Sequence, residues 1–242
     1  MLAALLGLIA GSFTATLVLR WESGRSIGGR SRCDGCGRTL GIVDLVPLGA
    51  WLLRRGRCPA CGSAIDPLHL RVELASATVG VASILLVPGL GGWCLALMGW
   101  MLLPLALLDA RRTWLPDALT GALAIAGLLL AGPLLATTLL ERLAGAAAGG
   151  LTLALVAALF LRLRGREGMG GGDPKLMAAI GCWLGWMPLP LVLLIASGAG
   201  IIWALATQKG DVTIRDRHIP FGVFLAVAAW LAPPLWMLIT AR

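Results

Sequence analysis

The chain has 242 residues, of which 58% are hydrophobic and only 13% are charged, and its mean hydropathy is +0.88. That composition excludes an ordinary soluble domain and is typical of a polytopic membrane protein. Lysine and arginine outnumber the acidic residues by 20 to 12. Because the basic residues lie in loops between apolar segments, and no nucleic-acid-reading motif is present, the excess indicates membrane topology and contact with membrane lipid, with no nucleic acid as partner.

Apolar segments of membrane-spanning length predict an all-α fold with about eight transmembrane helices. The segment that opens the chain has no basic residue ahead of its apolar run. It therefore predicts a retained helix with its N-terminus outside, not a cleaved signal peptide. The eight segments cover residues 1–19, 72–88, 93–108, 118–135, 143–161, 174–187, 188–207 and 220–239.

The charge of the loops predicts the orientation of these helices. When the segments alternate across the membrane, 18 of the 20 basic residues fall on one side, and only Arg142 and Arg242 fall on the other. The positive-inside rule makes the basic side cytoplasmic. That side comprises residues 20–71, 109–117, 162–173 and 208–219, with Lys175 just beyond them.

Residues 20–71 form the one sizeable soluble segment, and they contain two C-x-x-C pairs, each followed by a glycine. The four cysteines are Cys33, Cys36, Cys58 and Cys61. This spacing is typical of a structural zinc site with four thiolates. A segment of about 50 residues has too small a hydrophobic core to fold alone, and a bound metal would stabilise it. Two disulfides, a redox pair or another thiophilic metal are the alternatives, and a cytoplasmic location disfavours disulfides. Cys94 and Cys182 lie inside apolar segments and are expected to be small buried residues.

Two aspartates are predicted to lie at the same depth of the membrane on different helices. Asp109 stands at the cytoplasmic end of the third predicted span, and Asp173 opens the sixth after a glycine-rich turn. A carboxylate at the edge of a membrane segment is energetically costly, so each is a functional candidate. The alternative for Asp173 is a helix N-cap in front of Pro174, and capping is the role we favour for Asp117.

Two carboxylates held close together retain one proton near neutral pH, because both cannot ionise cheaply. The ionised partner can activate a water while the protonated partner polarises a peptide carbonyl, so a dyad of Asp109 and Asp173 would hydrolyse amides without a metal. Gly170 and Gly172 would let a substrate backbone approach. Lys175 either tunes the local field or contacts substrate, or it is an interfacial lysine that reaches the headgroups.

Other hydrolytic machinery is missing from the sequence. His69 and His218 flank apolar segments and are expected to be interfacial or packing residues. No G-x-S-x-G elbow, H-E-x-x-H motif or Walker loop is present. Two other functions stay open on these residues: a proton-coupled transporter, which would need acids near the bilayer midplane and repeat symmetry, and a scaffold that docks a partner through the cysteine module.

Several short motifs follow one another in order along most of the chain. They are Gly11-Ser12-Phe13, the two cysteine pairs, Asp44-Leu45-Val46-Pro47, Val72-Glu73-Leu74, Leu108-Asp109, Leu115-Pro116-Asp117 with Leu119-Thr120, Gly168-Met169-Gly170 to Asp173 with Lys175-Leu176, and Ile219-Pro220-Phe221-Gly222. In this order they resemble the type IV prepilin peptidases, a family of membrane aspartyl proteases of the G-x-G-D kind.

The resemblance implies an enzyme of the bacterial inner membrane with its active site facing the cytoplasm. It implies cleavage of the short basic leader of prepilins or pseudopilins, and methylation of the new N-terminal residue with S-adenosylmethionine. The catalytic roles fall on Asp109 and Asp173, and the zinc ligands on the four cysteines. Glu73 is either a participant in methyl transfer or a structural carboxylate. No methyl-donor site is assigned, because no nucleotide-binding glycine motif is visible.

The predicted domain organisation has three parts. Residues 1–19 form a first transmembrane helix, residues 20–71 form the cytoplasmic zinc module, and residues 72–242 form a seven-helix peptidase domain.

Overall fold

The fold is known from a computed structural model that describes residues 1–165, 169–207 and 220–240. Gly168, His218 and Ile219, which the sequence analysis singles out, lie outside the described residues, as do Arg242 and the predicted loop 208–219.

Ten α-helices follow one another along the described residues. They are α1 (Leu2–Glu22), α2 (Gly49–Leu53), α3 (Leu68–Leu86), α4 (Leu90–Arg112), α5 (Asp117–Leu130), α6 (Gly132–Leu135), α7 (Leu139–Arg164), α8 (Gly172–Leu184), α9 (Leu189–Ala206) and α10 (Phe221–Thr240). A short 3₁₀ helix, Ile42–Leu45, precedes α2.

Six of the described helices are long and apolar enough to cross a bilayer: α1, α3, α4, α7, α9 and α10. They confirm the prediction of an all-helical, multi-pass membrane protein. The other two predicted spans correspond to α5 and α8, which have 14 and 13 residues. Because a perpendicular span needs about 20 residues, the count of eight spans stays a prediction.

The chain divides into two units, Met1–Ile84 and Leu85–Arg242. In the first unit, α1 and α3 meet through backbone at glycine positions. A Cβ placed on Gly11 would lie 2.6 Å from the Cα of Glu73, and one on Gly7 would lie 2.6 Å from the carbonyl oxygen of Ser76. The glycine of the Gly-Ser-Phe motif therefore allows the close approach of the Val-Glu-Leu motif.

The core of the second unit is built from the inner faces of α4, α5, α8 and α10. Its largest fully buried side chains include Leu95, Met98, Trp183 and Leu225. The indole Nε1 of Trp183 donates to the carbonyl oxygen of Leu123 at 2.8 Å, and this bond ties α8 to α5. A tryptophan can be fully buried here because its one polar atom has a partner.

Helices α7 and α8 also pack backbone against backbone. A Cβ on Gly181 would clash with the carbonyl oxygen of Gly145, and one on Gly149 would lie 2.8 Å from the carbonyl oxygen of Met177. Small residues at such a crossing are the usual means by which membrane helices associate, because the apolar solvent provides no hydrophobic driving force. This contact holds α8, and with it Asp173, against α7.

We expect Gly181→Ala to destabilise the protein by about 1–3 kcal/mol or more, because the added methyl group meets backbone that cannot rotate away. The matched control is Gly198→Ala in α9, where a Cβ would meet nothing within 4 Å. The melting temperature of the purified protein in detergent provides the comparison. Equal melting temperatures for the two variants would show that α7 and α8 do not meet in this way.

Arg142 is a buried cation on the side of the chain that the sequence predicts to be poor in charge. Its guanidinium donates to the carbonyl oxygens of Gly127 and Leu128, at 3.1 and 2.8 Å. These carbonyl groups belong to the last turn of α5. At the start of α7, Thr138 and Glu141 form a reciprocal capping box. Arg142 is thus bound to helix-end carbonyls, which explains its exception to the charge pattern.

Candidate active site

Asp109 lies one turn before the end of α4, with 5% of its surface exposed. Its Oδ2 accepts a hydrogen bond from the backbone N–H of Val223 at 3.1 Å, in the first turn of α10. The free N–H groups of a helix N-terminus bind anionic oxygens well, so α10 positions this carboxyl group.

Because Gly222 has no side chain, the carboxyl group of Asp109 has room to lie against the backbone of α10. A Cβ at this position would lie 2.8 Å from Oδ2 and 3.0 Å from Cγ of Asp109. Any side chain here would displace the carboxyl group. The glycine of the closing motif is therefore part of the site, a role that the sequence alone does not reveal.

Asp173 is the second residue of α8, and 6% of its surface is exposed. The helix begins at Gly172, with Gly171 in the N-cap position, and the N–H of Asp173 donates to the carbonyl oxygen of Gly170. Asp173 therefore does not cap the helix, and the alternative structural explanation for it is wrong. Helix capping therefore does not explain why its carboxyl group is buried.

The two aspartates are 64 positions apart in the chain, but the segments beside them meet at Leu115. The side chain of Leu115 packs between the segments that carry them. A Cβ built on Gly172 would lie 2.8 Å from the Cβ of Leu115, and one built on Gly222 would lie 3.1 Å from the Cδ1 of Leu115. The structure thus brings together the two residues that the sequence proposes as a pair, with an apolar wedge beside them.

The glycines ahead of Asp173 differ in their surroundings. Gly170 and Gly171 face open space, and a Cβ on either would meet nothing within 4 Å. A Cβ on Gly172 would lie 2.8 Å from the Cβ of Leu115, so the small size of this residue allows close packing. The approach of a substrate at Gly170 and Gly172 stays a prediction.

Lys175 forms an ion pair with Asp117, with Nζ 2.6 Å from Oδ1, and both side chains are largely exposed. Asp117 is the first residue of α5, but Pro116 holds the N-cap position without a side-chain hydrogen bond. The predicted capping role of Asp117 is therefore wrong. Lys175 pairs with an acid at the same end of the neighbouring helix, an interaction of small free energy in water.

The two cysteine pairs form matching turns in the first unit. In each turn the glycine after the second cysteine donates to the carbonyl oxygen of the first cysteine, and short antiparallel bridges flank the turns at Arg32–Thr39 and Arg57–Ala64. Gly37 and Gly62 have φ values of +70° and +71°. Glycine adopts this left-handed conformation without strain, as the sequence indicates.

All four sulfur atoms lie within 4.8 Å of one another, so the cluster fits a single metal ion. The Sγ atoms of Cys33 and Cys61 are 3.8 Å apart. That distance matches the edge of a sulfur tetrahedron with metal–sulfur bonds of about 2.3 Å. Hydrogen bonding by the Ser63 hydroxyl group lowers the pKa of Cys33 to about 6 and lowers that of Cys61.

The remaining predicted residues have structural positions. Cys94 and Cys182 are buried, as expected, and the thiol of Cys94 donates to the carbonyl oxygen of Leu130 at 3.3 Å. Glu73 is also buried, and its Oε2 accepts from the N–H of Leu48 at 2.7 Å. His69 stands one turn before Glu73 on α3.

Two family models match the chain. The chain matches the model of the type IV leader peptidase family over residues 95–205 and that of the bacterial peptidase A24 N-terminal domain over residues 5–87. These matches and the helices define a multi-pass membrane peptidase. The chain belongs to the type IV leader peptidase family, which confirms the resemblance.

The relatives carry the name prepilin leader peptidase/N-methyltransferase. The protein of Aeromonas salmonicida is 40% identical over 210 residues, which cover 84% of this chain and 70% of the relative. That of Dickeya chrysanthemi is 38% identical over 229 residues, 92% and 77% of the two chains. That of Stutzerimonas stutzeri is 35% identical over 211 residues, 84% and 70%. No solved structure matches the chain significantly.

Proposed function

We propose that this protein removes the short basic leader from type IV prepilins or type II secretion pseudopilins, with Asp109 and Asp173 as the catalytic pair. The observation that carries the proposal is the convergence of two buried aspartates, from distant segments, near the N-terminus of α10, where Leu115 packs against both Gly172 and Gly222. The names of the relatives supply the substrate class and a second activity, N-methylation of the mature protein.

In the first chemical step, Asp109 acts as the base and Asp173 as the acid. Asp109 accepts the N–H of Val223, and such donors pair best with an ionised carboxylate. It takes a proton from a water molecule, whose oxygen attacks the carbonyl carbon of the scissile peptide bond. Asp173 gives its proton to the carbonyl oxygen, so the product of attack is a neutral tetrahedral diol.

In the second step the diol collapses and the carbon–nitrogen bond breaks. Asp109 returns its proton to the leaving nitrogen, and Asp173 takes a proton from one of the two hydroxyl groups. The leader then ends in a carboxyl group, the mature protein begins with an amine, and both aspartates recover their starting protonation states.

Methylation would follow on the amine that cleavage exposes. S-adenosylmethionine, when bound, would supply the methyl group from its positively charged sulfur and would leave as the neutral thioether, while the methylated amine loses one proton to water. The substrate order is set by chemistry, because the reacting amine does not exist until the leader has been removed.

We further infer that the protein resides in the bacterial inner membrane with the aspartates at the cytoplasmic face. The distribution of lysine and arginine supports this orientation. The open space beside Gly170 and Gly171 is consistent with an extended peptide that reaches the aspartates from the same side.

We also infer that the cysteine cluster holds zinc in a structural role. Four thiolates fill a tetrahedral ion and leave no position for a substrate or water, so this metal would not take part in hydrolysis. The cluster would instead fix the two turns relative to each other in a segment whose helices, the 3₁₀ helix and α2, are only 4 and 5 residues long.

Removal of this metal provides a prediction of its own. We expect the purified protein to contain about one zinc ion per chain, and we expect Cys61→Ser to lose most of it. Cys94→Ser is the control, because serine can still donate to the carbonyl oxygen of Leu130. Mass spectrometry of the metal content measures the number of zinc ions per chain in each variant. Full zinc content in Cys61→Ser would contradict the four-thiolate site.

The function itself is tested by co-expression with a candidate prepilin and by the mass of the mature N-terminus. We expect loss of the leader together with the gain of one methyl group. If every prepilin and pseudopilin of the host kept its leader in the presence of the folded protein, the proposal would be overturned.

A further inference from the structure

The first unit contains a cavity of about 450 Å³ that the proposed peptidase chemistry does not use. Its walls come from the second half of α1, from the turns of the cysteine module, from α2 and from the start of α3. This volume lies within the range of about 300–1,000 Å³ that is usual for small-molecule sites. All of the lining residues belong to this one unit.

One wall of the cavity carries a buried carboxylate. Glu73 lines the cavity with 5% of its surface exposed, and Oε2 accepts the N–H of Leu48. The carboxyl group has one neutral hydrogen-bond donor, and burial of an anion is expensive unless it is paired. This wall therefore favours a cationic group of a ligand.

The wall near α2 carries a hydrogen-bond donor without an acceptor. Trp51 lines the cavity, and its Nε1 is buried with no partner. Leaving such a donor unsatisfied costs about 1–3 kcal/mol. A polar ligand that presents an oxygen or ring nitrogen to it would recover that free energy.

A third wall carries an ion pair that a second arginine supports from outside the lining. Arg54 and Asp44 line the cavity and form an ion pair, and the same carboxylate also accepts from Arg38 at 2.6 Å. Two guanidinium groups thus share one carboxylate. That arrangement favours an anionic group of a ligand, such as a carboxylate.

We propose that this cavity is the binding site of S-adenosylmethionine, an inference that rests on the methylation included in the proposed function. The ligand combines a cationic sulfur, an amino-acid carboxylate and a polar nucleoside, and the cavity offers a complement to each. Glu73 stabilises the positive sulfur, Arg54 faces the carboxylate, and the N–H of Trp51 donates to an acceptor of the nucleoside.

Direct binding tests this assignment without any assay of activity. Radiolabelled S-adenosylmethionine and S-adenosylhomocysteine, which lacks the charged sulfur, are equilibrated with the purified full-length protein in detergent. We expect Trp51→Phe to weaken both ligands about tenfold, because one hydrogen bond is lost and the aromatic wall is kept. The matched control is Trp186→Phe at an exposed position outside the cavity, which should change neither.

Glu73→Gln separates charge from shape. Glutamine retains an oxygen that accepts the N–H of Leu48, so the fold of the cavity is kept. We expect S-adenosylmethionine to bind about tenfold more weakly, whereas S-adenosylhomocysteine should bind within about twofold of wild type. Wild-type binding of S-adenosylmethionine to both Trp51→Phe and Glu73→Gln would overturn the assignment.

The outcomes distinguish this proposal from the proposed function. A protein that cleaves and methylates a prepilin, but whose cavity variants bind the methyl donor normally, has its methyl-donor site elsewhere. Asp173→Asn should bind the donor normally and cleave the leader about a thousandfold more slowly, which supports both proposals together. A wild-type protein that binds no S-adenosylmethionine overturns the cavity assignment, whereas retention of the prepilin leader overturns the proposed cleavage.

Discussion

Replacement of either aspartate by asparagine, in Asp109→Asn or Asp173→Asn, is expected to slow leader cleavage by about a thousandfold or more. Asparagine keeps the shape of the side chain but can neither take a proton from water nor give one to the carbonyl oxygen, and each transfer contributes about 10²–10⁴ to the rate. The initial rate of cleavage of a synthetic prepilin peptide in detergent measures the effect.

The same two variants carry an internal control for folding. Methyl transfer to a peptide that already lacks its leader should proceed at the wild-type rate, because that reaction does not need the pair. The double variant should be no slower than either single one, since residues that act as a unit are not additive. Cleavage at the wild-type rate in either single variant would exclude the dyad.

Gly222→Ala is expected to lower the cleavage rate about a hundredfold, although the substituted residue takes no part in the chemistry. A Cβ at this position would lie 2.8 Å from Oδ2 of Asp109, so the carboxyl group must leave the N–H of Val223. Displacement of a catalytic group by about 1 Å can cost a factor of that size. The rate is measured on the same prepilin peptide.

Gly200→Ala in α9 is the control for this substitution. Its Cβ would lie 3.6 Å from the ring of Phe224, an ordinary van der Waals contact, and activity should be kept. The melting temperatures of both variants should stay close to that of the wild type. If Gly222→Ala cleaves as fast as Gly200→Ala, the first turn of α10 does not position Asp109.

The helices could be predicted from the sequence because membrane burial demands long apolar runs. Each of the eight predicted segments overlaps a described helix, and the largest difference lies in residues 118–135. There the structure has α5 and then the short helix α6, with the break at Ala131. Hydropathy alone does not register that break, because the residues on both sides of it are equally apolar.

The candidate site could be predicted only in part. The two aspartates stand out because an acid at the edge of an apolar segment is rare, but their neighbours depend on tertiary contacts. Val223 is an apolar residue whose contribution is a backbone N–H, and no sequence pattern reports that. The capping role predicted for Asp117 failed because Lys175, 58 positions away, provides a partner.

Helices α5 and α8 have a consequence for the surrounding lipid. They pack together and are about 21 and 20 Å long, whereas the hydrocarbon layer is about 30 Å thick. The bilayer must therefore dimple toward this pair, or water must reach the ends of the two helices. A reaction that consumes a water molecule for every bond broken is favoured by such local thinning, and the rate of leader removal should rise in vesicles made from shorter-chain lipids.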